Sequence, residues 1–171
     1  GGFRNWVQSS TDDPRKIETM EMVHASEQGR LVMSNGPFLE VYARETDSSP
    51  RVTSGQSLTA KSKGVQLTIK VQCPNWFDID RVFVLGNGRV LAEHDFSREK
   101  HPDAFGQGVV KFDRSLKLDL AQDTHLIVVA AGEKSRLATK TPYDRPDGAH
   151  MVSGPSASTA VGDGPWGSCS L

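Results

Sequence analysis

Apolar and polar residues alternate most cleanly over residues 65–73. Val65, Leu67, Ile69, Val71 and Cys73 interleave there with Gln66, Thr68, Lys70 and Gln72. Successive side chains of a strand point to opposite faces, so this run predicts one dry face and one wet face. Residues 79–85 and 89–95 flank Gly86-Asn87-Gly88. Asn-Gly between apolar runs predicts a hairpin, because both residues tolerate positive φ. Residues 31–33 and 38–42 read as extended segments broken by Ser34-Asn35-Gly36-Pro37, and Val110, Phe112, Leu116, Leu118 and Leu120 continue the pattern. Residues 126–131 are apolar on both parities, which suits a central strand covered on both faces. Ahead of the strands the period is helical. Asp13 and Pro14 give a start signal, Ile17, Met20 and Val23 an apolar stripe, and Gly29 a stop, predicting a helix over about 14–28. One helix and then seven or so short strands with frequent turn signals predict a mainly β fold. The expected architecture is an immunoglobulin-like antiparallel β-sandwich with one N-terminal α-helix.

Residues 82–85 are apolar on both faces as well. The outer face of a free two-layer sandwich is polar, so Phe83, Leu85, Ile127 and Val129 call for a cover. The helix stripe of Ile17, Met20 and Val23 is the expected cover, with a second copy of the chain as another source. From about residue 144 the composition shifts to Gly, Ser, Pro and Ala, which predicts a disordered low-complexity tail over 144–171. The sandwich domain is therefore placed at 31–143.

Charge changes the picture by exclusion. Twenty Lys plus Arg against 21 Asp plus Glu leave a net charge of −1, so nothing in the balance argues for a nucleic-acid or acidic-membrane partner. No run approaches the roughly 20 apolar residues of a membrane-spanning helix. The chain opens Gly1-Gly2-Phe3-Arg4-Asn5-Trp6, with no initiator Met and no apolar leader, which suggests a chain cut from a longer one. Cys73 reads as a buried free thiol. Cys169 lies in the tail, and two cysteines so placed define neither a disulfide framework nor a zinc site, leaving the compartment open.

Candidate chemistry is sparse. The five histidines are dispersed, with no His-x-His and no His-Glu-x-x-His, so no metal site is expected. No Gly-x-Ser-x-Gly occurs, and no helix follows Gly86-Asn87-Gly88 to make a phosphate loop. His101 and Asp103, around Pro102, could orient a water or cation in the 97–108 loop; a turn capped by Asp103 is the plainer reading. Asp78 and Asp80 share a strand face, short of a calcium cage. Trp76 and Phe77 at a strand boundary could stack on a sugar ring, and plugging the end of the core is the plainer alternative. These features keep a carbohydrate-binding module, built from Trp76, Phe77 and the 97–108 loop, as a second reading. A residual hydrolase would need His101, Asp103 and a further ligand to converge.

Four segments resemble a known family when taken together. They are residues 5–14 (Asn5-Trp6-Val7-Gln8-Ser9-Ser10-Thr11-Asp12-Asp13-Pro14), residues 29–41 with their Ser34-Asn35-Gly36-Pro37 stretch, residues 74–82, and the run from His101 to Arg114. The chain resembles the C-terminal part of large bacterial proteins with a PHP (polymerase and histidinol phosphatase) metallohydrolase domain, in the CehA/McbA-like branch, over roughly residues 3–140. The resemblance implies that residues 1–30 are the tail of an upstream barrel and 31–143 the sandwich that follows it. The family's metal-binding His and Asp lie upstream, and none maps onto this chain. The resemblance therefore implies a non-catalytic accessory module, without a cofactor of its own, whose partner is the hydrolase barrel. Ile17, Met20, Val23, Phe83, Leu85, Ile127 and Val129 are the residues expected to pack against such a partner. Family members continue after a Met-Val-Ser-like stretch with an apolar closing strand. Here Met151-Val152-Ser153 runs into Gly154-Pro155-Ser156-Ala157 instead.

Overall fold

In a computed structural model, the description covers residues 4–75, 77–132 and, as backbone, 167–170. Among these residues ten strands and one α-helix follow in the order β1 (Arg4–Val7), α1 (Thr19–Glu27), β2 (Leu31–Ser34), β3 (Phe38–Arg44), β4 (Val52–Thr53), β5 (Gly64–Gln72), β6 (Arg81–Gly86), β7 (Arg89–Ser97), β8 (Val110–Asp119), β9 (Leu126–Ala131) and β10 (Gly167–Ser170). They form two antiparallel sheets, one ordered β1-β2-β10-β9-β6-β7 and the other β4-β3-β5-β8. The expected mainly β sandwich with one helix is the fold.

The alternation in β5 sets the core. Val65, Leu67, Ile69 and Val71 are buried while the residues between them are not. β3 contributes Leu39, Val41 and Ala43 from the same sheet; Val82 and Val84 of β6 and Leu126, Val128 and Ala130 of β9 face them in one cluster. The hairpin falls where Asn-Gly predicts it: Asn87 and Gly88 take φ of 50° and 78° between β6 and β7. Asn87 does further work, since its Oδ1 accepts from the His125 amide and its Nδ2 donates to the Asp123 carbonyl.

The helix is shorter than the sequence predicts. Asp13 does not cap it. Its Oδ1 accepts from the Arg15 amide and its carbonyl from the Lys16 amide, so Asp13-Pro14 closes a separate turn and α1 starts at Thr19. A short polar side chain serves a turn as readily as a helix start, and within residues 14–18 Ile17 alone carries the helical period, too little to decide between them. The C-terminal end is as expected. Gly29 takes φ 71°, its amide bonds to the Ser26 carbonyl, and the Arg30 amide bonds to the Ala25 carbonyl at 2.8 Å. That is the paired closure of a left-handed helix cap.

The cover expected for the outer face is also corrected. α1 lies beside β1, burying Ala25, and Ile17, Met20 and Val23 stay exposed. β1 is three strand positions from β9 and four from β6, about 14–19 Å at the usual strand spacing, too far for this helix to cover Phe83, Leu85, Ile127 and Val129. A charged neighbour on the same strand, anchored by a cross-strand carboxylate, shields part of that face instead. The Arg81 guanidinium sits 4.7 Å from the centre of the Phe83 ring and is held by two bonds, 2.9 and 3.0 Å, to the Asp95 carboxylate. Val129 is buried, whereas Phe83, Leu85 and Ile127 are half-buried.

The tail holds one further departure. Residues 167–170, inside the segment expected to be disordered, pair with β2 on one side and β9 on the other. A strand paired on both sides draws on main-chain hydrogen bonds, which composition does not register. The rest of the expected tail lies outside the described residues.

Leu67→Ala is expected to lower stability by about 2–5 kcal/mol, because a fully buried side chain leaves a cavity between two sheets. Gly88→Ala, at positive φ with open space around it, should cost about 1 kcal/mol. Urea unfolding followed by far-ultraviolet circular dichroism measures both.

Candidate functional site

A bulge organises the end of the sandwich that carries Asp78 and Lys111. The β5–β8 register slips between Val71 and Gln72, so Lys111 and Phe112 are both buried although they are adjacent. Bulges re-aim side chains in this way. Lys111, 3% exposed, comes within 3.7 Å of the Asp78 carboxylate. The same oxygen accepts from Arg98 Nη2 at 2.8 Å, and that nitrogen also donates to the Ile79 carbonyl at 2.9 Å. Arg98 further lies against the Phe105 ring and donates weakly to the Gly106 carbonyl. One carboxylate thus serves two cations, and Arg98 ties the loop before β6 to the loop after β7.

Cys73 adjoins this cluster. Its thiol is buried and donates to the Phe77 carbonyl at 3.4 Å. Burial pushes the Cys73 thiol up to about 11; Lys111 and Arg98 pull against that rise and Asp78 adds to it. Such a thiol is protonated and unreactive at neutral pH.

The proposed sugar platform is not assembled by Phe77. Its ring is 3% exposed and packs so closely that a Cβ at Gly36 would lie 2.8 Å from it. Phe77 plugs the core, the plainer of the two readings, and cannot stack on a ligand. Trp76 lies outside the described residues. His101 is exposed, with its ring edge-on to Phe96 at 5.4 Å. Asp103 is exposed in the single 3₁₀ turn Pro102–Ala104, where its carbonyl accepts from Arg114 Nη2 at 2.6 Å. Both therefore act through ring packing and main chain. Among the described residues, no three His, Cys, Asp or Glu side chains converge as a metal-ligand set.

Two features escape the sequence. The first is a set of exposed apolar side chains at α1: Ile17 at 36% just ahead of the helix, and Met20 at 56% and Val23 at 40% on it. The periodicity marks these residues, but as a buried face. The second is a groove of about 640 Å³ lined by β1, Met22 of α1, Arg30, β2, β3 and Thr53 and Ser54 at the end of β4. Its walls come from segments up to some fifty positions apart, so no local pattern announces it. Trp6, 43% exposed and 5.1 Å edge-on to Phe38, is its one sequence-visible mark. Comparison of the chain with protein-family models, with curated proteins and with solved structures gives no match.

Asp78→Asn should lower stability by about 1–2 kcal/mol, since two cations lose their shared carboxylate at a half-exposed position. Adding Lys111→Met should restore most of that loss in a double-mutant cycle. Stability should also fall between pH 9 and pH 11. The unfolded thiol releases its proton near its ordinary 9.0 and the folded one only near 11, so the native state holds the extra proton in that window. Cys73→Val should flatten that part of the profile, as read from urea midpoints at a series of pH values.

Proposed function

We propose that the chain is an immunoglobulin-like accessory sandwich, without catalysis of its own, that packs against the barrel of a PHP-type metal-dependent hydrolase. The observation that carries this reading is the apolar row of α1. Met20 and Val23 are exposed at three-residue spacing on a helix whose buried contact is made by Ala25, and Ile17, two residues ahead of the helix, is exposed as well. An apolar stripe that its own domain does not bury fits a contact with something outside that domain. The sequence resemblance supplies the candidate, because the segment holding α1 is the part that would belong to the barrel's tail.

The immunoglobulin-like part of the reading is supported by strand order. β10-β9-β6-β7 facing β3-β5-β8 matches the G-F-C-C′ and A-B-E arrangement of such sandwiches. β1, β2 and β4 then extend the two sheets at one side. The sugar-binding alternative loses Phe77 to the core and has no second observation in its favour.

The DNA upstream of the coding segment tests the proposal. A continuous frame encoding a barrel with clustered His and Asp codons is expected; a frame encoding no such domain would overturn it. In the joined protein, Met20→Glu should speed proteolysis at the junction several-fold. In the isolated chain the same change should shift stability by less than about 0.5 kcal/mol.

A further inference from the structure

The groove beside β1 holds a cation with no counter-ion. Arg30 lines it, and the side-chain bond it makes among the described residues is to the neutral Gln28 amide. No carboxylate of the described residues pairs with it. Glu40, the acid in the groove wall, is turned to Lys70 at 3.7 Å. Arg30 Nε is buried and has no hydrogen-bond partner. Thr53 Oγ1 is in the same condition, and Thr53 lines the same groove. Two of the three such side-chain atoms among the described residues thus belong to this one place.

Much of the remaining wall is apolar, with Trp6, Val7, Leu31 and Phe38, while Asn5, Gln8 and Tyr42 add polar groups. A volume of about 640 Å³ lies inside the usual range of small-molecule sites, roughly 300–1,000 Å³. Such sites combine an apolar lining with a few placed polar groups. Trp6 and Phe38 already meet edge to face, so their side chains present a formed surface. The polar groups specify the ligand. A guanidinium edge matches the two oxygens of a carboxylate, and the Thr53 hydroxyl, once its side chain turns toward the groove, can donate to one of them. One cation with no counter-ion, in a wall that also holds the Glu40 carboxylate, suits a monoanion better than a phosphate dianion, whose second charge would be left unpaired.

We propose that this groove binds a small amphipathic carboxylic acid, its apolar body against Trp6 and Phe38 and its carboxylate on Arg30 and Thr53. Binding exchanges the Gln28 amide for a charged acceptor at the guanidinium. The site is separate from the α1 row, to which Met20 and Val23 belong, so a chain that packs on a barrel and one that does not can both carry it.

The test uses the full 171-residue chain with 2-naphthoate, and 2-naphthalenemethanol as the neutral isostere. Binding is followed by tryptophan fluorescence and by amide chemical-shift mapping. Saturable binding of 2-naphthoate with Kd below about 1 mM is expected, with shifts centred on residues 5–8, 30–32, 38–42 and 53–54 and the alcohol at least about tenfold weaker. Arg30→Met should weaken the acid about 10- to 100-fold and leave the alcohol unchanged, with Arg30→Lys between the two. Thr53→Val should weaken the acid several-fold, and it carries the test if Arg30→Met fails to fold by circular dichroism. Equal affinity for acid and alcohol, shifts outside the groove, or no saturable binding would each overturn the proposal. So would tighter binding of a short Asp/Glu-bearing peptide than of 2-naphthoate, which would make the groove a protein contact.

Discussion

The inner face of β5 is the constraint on which the other elements depend. Leu67, Ile69 and Val71 are fully buried, and they meet Val82, Val84 and Val128 from the opposite sheet. β5 is hydrogen-bonded to β3 on one side and to β8 on the other, so its register fixes theirs. A slip of one residue would turn Gln66, Thr68 and Lys70 into the core. The one irregularity this strand accepts, at Val71 and Gln72, is the one that delivers Lys111 to the charged end.

Around that core the polar and apolar features divide by place. The end with Asp78, Arg98 and Lys111 is a structural knot, in which two cations lean on one carboxylate and join two loops. The outer face of β6 is partly shielded by Arg81, a charged side chain whose stem and guanidinium lie over an aromatic ring. The opposite side, with β1 and α1, is less complete. It carries the apolar row of the helix and a groove whose cation has no counter-ion. The functional readings belong to that side.

The sequence was most legible where the structure is periodic and local. The alternation of residues 65–73, the Asn87-Gly88 turn and the Gly29 helix end appear as expected, because each depends on neighbours a few residues apart. Asp13-Pro14 was ambiguous, as one pattern serves both a turn and a helix start. The two-sided apolar runs of β6 and β9 call for cover; part of it comes from Arg81, two residues before Phe83 on the same strand, and none from α1. Phe77 could be a plug or a platform by sequence, and its contact with Gly36, forty-one positions earlier, decides for the plug. The groove was illegible because it forms only after β1, α1 and the β3–β4 edge have been brought together.

The core of the sandwich closes without Met20 and Val23 of α1, which stay exposed. Hydrogen exchange of the isolated chain tests this most directly. The account predicts α1 amides exchanging at least about 100-fold faster than those of β5, β6 and β9, because the helix buries little beyond Ala25. Protection of α1 equal to that of β5 would contradict it, by showing the helix to be part of the same cooperative core.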